Sequence, residues 1–125
     1  MEIVSTDAAP AAIGPYSQAI KADGMLYCSG QISLDASSGE LVGNNASEQC
    51  EKVMSNLKAV LEAGNSGINS IVKTTIFLKD MNDFVAVNEV YAKAMGDHRP
   101  ARATVEVSRL PKDVLVEIDC IAVIE

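Results

Sequence analysis

The spacing of apolar positions along the chain alternates between a two-residue and a helical period, and these changes of period mark out the elements. Residues 16–21 and 25–29 are strand-like runs flanking Ala22-Asp23-Gly24. Asp-Gly between such runs favours a tight hairpin, because glycine tolerates a positive φ. Residues 33–43, with Ser37-Ser38-Gly39 at their centre, carry little periodicity and are expected to form a loop or an irregular hairpin. From Ala46 onward, Cys50, Val53, Met54, Leu57, Val60 and Leu61 complete the stripe of an amphipathic helix. Asn45, with Glu48 three residues on, is its expected N-cap, and Gly64 its stop.

The β-branched run 71–78 follows, with Val72, Thr74, Ile76 and Leu78 alternating onto one side, which predicts a strand with one buried face. A second helix, capped by Asp80 or Asn82, places Phe84, Val87, Asn88, Tyr91, Ala94 and Met95 along one face. Two strands, 101–107 and 114–124, close the chain. In the last, Val114, Val116, Ile118, Cys120, Ala122 and Ile124 form a uniformly apolar face, expected to lie under the helices. The opposite face mixes Leu115, Glu117, Asp119, Ile121 and Val123, a composition suited to a partly polar contact with another subunit.

The order β-β-β-α-β-α-β-β predicts a single α+β domain over 1–125, ferredoxin-like or chorismate-mutase-like, with two helices on one face of a mostly antiparallel sheet. Two helices leave the other sheet face open, and self-association is the simplest cover for it.

Composition narrows the partners. The 125 residues are 48% hydrophobic, enough for one core, and carry a net charge of −7, which repels nucleic-acid phosphates and anionic membranes. No apolar run reaches the roughly 18 residues of a membrane span, and the first residues lack a secretory signal pattern. A cytoplasmic protein is expected. Cys28, Cys50 and Cys120 are odd in number and widely spaced, which predicts buried free thiols rather than disulfides or a thiolate metal site. The lone His98, beside Asp97, offers too few ligands for a metal centre, and no nucleotide-binding glycine motif is present. No metal or cofactor is expected.

Candidate chemistry rests on a few polar side chains. Arg102, at a strand start with Thr104 on the same face, can grip a carboxylate through two parallel hydrogen bonds; the competing role is an ion pair with Glu106 or Glu117. Glu117, flanked by aliphatics, is open to a desolvation that raises its pKa toward acid–base use. Asn88 interrupts a buried stripe and either ties down backbone or lines a pocket. Tyr16 and Ser29 bring hydroxyls near the ends of the hairpin strands.

Together these positions closely resemble the RidA/YjgF family of reactive intermediate deaminases, nearly end to end. The carriers are Gly14-Pro15-Tyr16-Ser17-Gln18-Ala19, Ser29-Gly30-Gln31, Val72-Lys73-Thr74-Thr75-Ile76-Phe77-Leu78-Lys79-Asp80-Met81, Arg99-Pro100-Ala101-Arg102-Ala103-Thr104-Val105-Glu106-Val107, Leu110-Pro111-Lys112-Asp113 and Val116-Glu117-Ile118. The resemblance implies a homotrimer of chorismate-mutase-like subunits with sites between neighbouring chains. It also implies hydrolysis of 2-imino or enamine acids, such as 2-aminoacrylate and its imine tautomer, to 2-oxo acids and ammonia.

By the same resemblance Arg102 is the carboxylate-binding residue and Glu117 orients water or handles the proton. Tyr16, Ser29 and Asn88 fall on pocket positions, and Gly30 offers a backbone N–H where a side chain would crowd a ligand. Thr104 stands where many members have cysteine. Its hydroxyl can bond ligand or water but has no thiol chemistry, so the oxidant-triggered chaperone behaviour suggested for some relatives is not expected at that site. Two rival functions remain open: a trimeric sensor or regulatory binder of small carboxylates without turnover, and an RNA-directed activity, which the negative charge disfavours.

Overall fold

The computed structural model describes residues 1–125. Six strands and two α-helices form one layer each: β1 (Glu2–Val4), β2 (Ala19–Ala22), β3 (Met25–Gln31), α1 (Ala46–Ala63), β4 (Ile71–Leu78), α2 (Phe84–Met95), β5 (Ala101–Glu106) and β6 (Val116–Val123). The sheet order is β1-β2-β3-β6-β4-β5, so β6 runs antiparallel between β3 and β4, and only β4 and β5 pair in parallel. The expected α+β fold, mostly antiparallel with two helices, is what the chain adopts. No helix is long and apolar enough to cross a membrane.

The hairpin forms at Asp23-Gly24, both in the left-handed region. Its first strand is shorter than expected, because Tyr16 to Gln18 precede β2 as irregular chain. Helix α1 begins as expected: Asn45 Oδ1 accepts from Glu48 N at 2.9 Å, and Glu48 Oε1 accepts from Asn44 N at 2.8 Å. Asp80 accepts from Asn82 N at 2.9 Å, but this bond caps a single 3-10 turn, and α2 itself starts at Phe84.

The core lies between the helices and one sheet face. Leu57, Val60 and Leu61 of α1 and Val87, Tyr91 and Met95 of α2 pack on Leu26, Cys28, Ile76, Leu78, Val116, Ile118, Cys120 and Ala122. The apolar side of β6 is buried as the alternation predicted. In β4 the expectation fails at one end: the pairing with β6 slips between Ile71 and Lys73, so Ile71 is buried and Val72 is exposed. Ala94, placed on the buried stripe of α2, is also exposed.

No element covers the opposite face, which carries Glu117 opposite Phe77, Asp119 opposite Thr75, and Ile121 opposite both Tyr27 and Lys73. Edge strand β5 contains no buried residue. All three cysteines are free and buried.

Candidate active site

Two separate clusters hold the residues that the sequence singled out. The first lies where β5 meets α2. Parallel pairing sets Arg102 opposite Thr74 and Thr104 opposite Ile76, which aims both toward the helices. Arg102 Nη1 donates to Asn88 Oδ1 at 2.6 Å. Its guanidinium carbon lies 5.6 Å from the Phe84 ring centre and 5.2 Å from that of Tyr91. The Tyr91 hydroxyl is 2.7 Å from Thr74 Oγ1. Asn88, Tyr91, Arg99 and Arg102 line a cavity of about 350 Å³.

Arg102 has no carboxylate partner. The ion pairs in the chain are Lys21–Glu2 and Arg109–Asp113, so the structural salt link that competed with a binding role is absent. Glu106 instead accepts from Met81 N at 2.8 Å, and Glu117 lies on the other sheet face. Thr104 shares the strand and face of Arg102 but lines neither cavity; its hydroxyl oxygen is buried and unpartnered within the chain.

The second cluster lines a larger cavity, about 630 Å³, at one end of the open sheet face, and includes Tyr16, Ser29, Gly30, Gln31, Lys112 and Glu117. Its outer wall is the N-terminal segment. Buried Gln18 pins that segment by accepting from Thr6 N at 2.6 Å and donating to Pro10 O at 2.7 Å and Thr6 O at 3.1 Å. Ser29 Oγ donates to Ser17 O at 2.6 Å, which fixes the hydroxyl and leaves its lone pairs as acceptors. At the rim, Lys112 adopts the left-handed conformation, φ 55°, in the turn after Pro111.

Burial raises the Glu117 pKa above the usual carboxylate range, and the neighbouring charge of Asp119 adds to the shift. Burial likewise raises Asp119, against opposing hydrogen bonds from Thr75 and the charge of Lys73. Glycine at position 30 also has a reason within the chain itself. A Cβ there would overlap Glu117 Oε2 and lie 2.9 Å from its Cδ, so the group that would be crowded is the carboxylate of the same chain.

The chain therefore brings Asn88 and Arg102 together, and separately Tyr16, Ser29, Gly30 and Glu117. It does not unite the two sets: Arg102 faces the helices and Glu117 the open side of the sheet. Sequence reasoning gave no role to Phe84, Tyr91, Arg99, Gln31 or Lys112. A signal existed for the first two, since Phe84, Asn88 and Tyr91 share one helical stripe, and Gln31 and Lys112 sit inside motifs already marked. His98 Nε2 is engaged with Ile71 O at 2.7 Å, and nowhere do three His, Cys, Asp or Glu side chains converge as a metal cage.

Comparison with known proteins agrees on one family. A family model described as endoribonuclease L-PSP matches residues 6–124. A RutC family protein of Pyrococcus horikoshii is 53% identical over 97% of this chain and 96% of its own length. The mouse protein named 2-iminobutanoate/2-iminopropanoate deaminase is 48% identical over 98% of this chain and 90% of its own. Among solved structures, E. coli TdcF with bound serine superposes with a TM-score of 0.94 at 39% identity, covering 100% of both chains. With the fold, the sequence blocks and full-length matches in accord, this chain belongs to the RutC/RidA family, whose family model bears the description endoribonuclease L-PSP.

Proposed function

We propose that the protein hydrolyses short-lived 2-imino acids, such as 2-iminopropanoate and its enamine tautomer 2-aminoacrylate, to 2-oxo acids and ammonia. The observation that carries this reading is the Arg102 guanidinium: it is fixed by Asn88 and two rings, has no carboxylate of its own, and leaves most of its N–H groups free. Such a group is suited to the planar carboxylate of a small organic acid. The mouse relative's name and the serine in the E. coli structure point to the same class of ligand.

Arg102 orients the acid and Glu117 handles the proton. Water adds to the imine carbon, the resulting carbinolamine passes a proton to nitrogen, the C–N bond breaks, and ammonia leaves with the carbonyl formed. One imino acid and one water thus give one 2-oxo acid and one ammonia. A carboxyl whose pKa is raised toward the working pH can both accept the water proton and return it. Imines already hydrolyse in water, so holding the reactants in place supplies much of what is needed.

Because the two clusters lie on opposite faces of one sheet, the proposal assigns the complete site to a seam between copies in a homotrimer. There the Arg102 side of one subunit would meet the Glu117 side of the next. The exposed β5 edge and the uncovered face around Ile121 are surfaces that such a seam would cover.

The test is a coupled assay in which a pyridoxal-phosphate serine or threonine dehydratase generates the imine, with pyruvate or 2-oxobutyrate followed with and without this protein. Faster release of the oxo acid supports the proposal; an unchanged rate, with 2-oxo acids still bound, replaces it with a sensor. RNA cleavage lost in Arg102→Ala would replace it with the activity in the family model's description. That outcome is disfavoured by the net charge of −7 and by the separation of Lys112 from Arg99 and Arg102 into different cavities.

A further inference from the structure

An exposed arginine at a strand start would ordinarily sample many rotamers, and freezing it on ligand binding would cost entropy. Arg102 is different because of what α2 sets beside it. Phe84, Asn88 and Tyr91 recur at i, i+4 and i+7, so one helical stripe presents a ring, an amide and a second ring to a single guanidinium. Both ring centres are within the roughly 6 Å at which a cation is drawn to an aromatic face.

Tyr91 is itself tied to the sheet. It is buried, and its hydroxyl is tied to Thr74, the residue paired with Arg102 across the β4–β5 ladder. The contacts therefore close on themselves, from Thr74 to Tyr91, from Tyr91 to Arg102, and back to Thr74 through the strand pairing. Within this frame only Nη1 finds an acceptor, so the edge formed by Nε and Nη2, the two-pronged edge that fits a carboxylate, is left open.

We infer that Phe84 and Tyr91 are positioning residues for the reaction, an aromatic cradle that holds the Arg102 guanidinium in plane with its Nε/Nη2 edge open to the carboxylate of a 2-imino or 2-oxo acid. The inference rests on the function proposed above and assigns its carboxylate subsite. Phe84, half-buried and packed only at the margin of the core, carries the part of the cradle that can be altered without opening the interior.

The experiment compares Phe84→Leu, which keeps apolar bulk but removes the ring, with Phe84→Tyr, which keeps the ring. KM for the dehydratase-generated imine and Kd for 2-oxobutyrate, by calorimetry, are read alongside Tm. Phe84→Leu raises KM and Kd together by roughly 2- to 30-fold with kcat little changed, as loss of ground-state and transition-state binding alike requires. Phe84→Tyr restores both, and in an Arg102→Ala background Phe84→Leu has no further effect on Kd.

A Phe84→Leu variant with lowered Tm but wild-type KM and Kd overturns the inference, because the ring would then serve packing alone. So does an equal effect of Phe84→Leu with and without Arg102. If the unaltered protein turns over imine, such a result removes the cradle and leaves the function standing. If it neither turns over imine nor binds 2-oxobutyrate, the function falls and the subsite with it.

Discussion

Glu117 and Arg102 carry opposite charges on opposite faces of one sheet, and their own chain treats them in opposite ways. Around Glu117 the fold builds an enclosure: Gln18 pins the N-terminal wall, Ser29 is tied to Ser17, and residue 30 is reduced to glycine so that the carboxylate fits. Around Arg102 it builds a frame and leaves the opening: one amide, two rings and no counter-charge. The difference follows from physical chemistry. A carboxylate becomes an acid–base catalyst by losing water, whereas a guanidinium binds an acid by keeping unpaired donors. The first need is met by packing within a chain and the second by withholding a partner.

If the two halves meet only between copies, neither variant that destroys one half should block the other half in a mixed assembly. This gives the largest expected effect. Glu117→Gln alone loses about 100-fold or more of kcat, and Arg102→Ala alone loses binding. Co-expressed and purified together through two different tags, they should regain about one third of wild-type activity, since the two tags select mixed trimers and one seam of three in each joins an intact Arg102 to an intact Glu117. Activity no greater than that of the separate variants would place both groups in one chain's site and refute the seam.

The Arg102 half taken by itself is expected to have a smaller effect. A charge-assisted contact to a carboxylate contributes roughly 1.5–3 kcal/mol, so Arg102→Ala should lower kcat/KM by about 10- to 150-fold with Tm nearly unchanged, because the side chain is exposed. The Glu117 half should behave otherwise when its packing is touched. Gly30→Ala inserts a methyl into the space of the Glu117 carboxylate, and overpacking of this kind costs about 1–3 kcal/mol. Both Tm and kcat should fall in that variant, whereas Arg102→Ala separates them. Equal Tm for Gly30→Ala and the parent protein would show that the carboxylate has room to move.

The same contrast explains what could be read from the chain beforehand. Periodicity revealed both helices, β4 and the buried side of β6, because those patterns report which face leaves water. It did not reveal β1, a three-residue edge strand too short to show a period, nor the slip that exchanges Val72 for Ile71, which depends on the neighbouring strand. Arg102, Asn88 and Glu117 were legible as polar residues in apolar surroundings and through family resemblance. Their separation onto two faces was not legible, because it follows from the parallel pairing of β4 with β5 and the antiparallel pairing of β4 with β6. The reason for Gly30 was hidden likewise: Glu117 is 87 residues away in sequence and meets it only through the β3–β6 pairing.

The smallest effect separates the halves by pH. The folded chain raises the pKa of Glu117 above its unfolded value, chiefly by burial and then by the charge of Asp119, so between those two values the folded state holds the proton more tightly than the unfolded state. Stability from this group is therefore lost as pH rises from the unfolded pKa, near 4.3, through the folded one, and above that the cost of the buried charge is constant. Glu117→Gln removes the titration and should melt somewhat higher than the parent at neutral pH, with the gap closing as the buffer approaches pH 4. Water screens a half-exposed group, so the gap is small. Asp119→Asn lifts one of the two causes; it should lower the Glu117 pKa and move the acidic limb of the kcat profile down with it. A melting gap for Glu117→Gln that widens toward acid would mean that the folded chain stabilises the charged carboxylate, and the acid–base role built on its desolvation would fail.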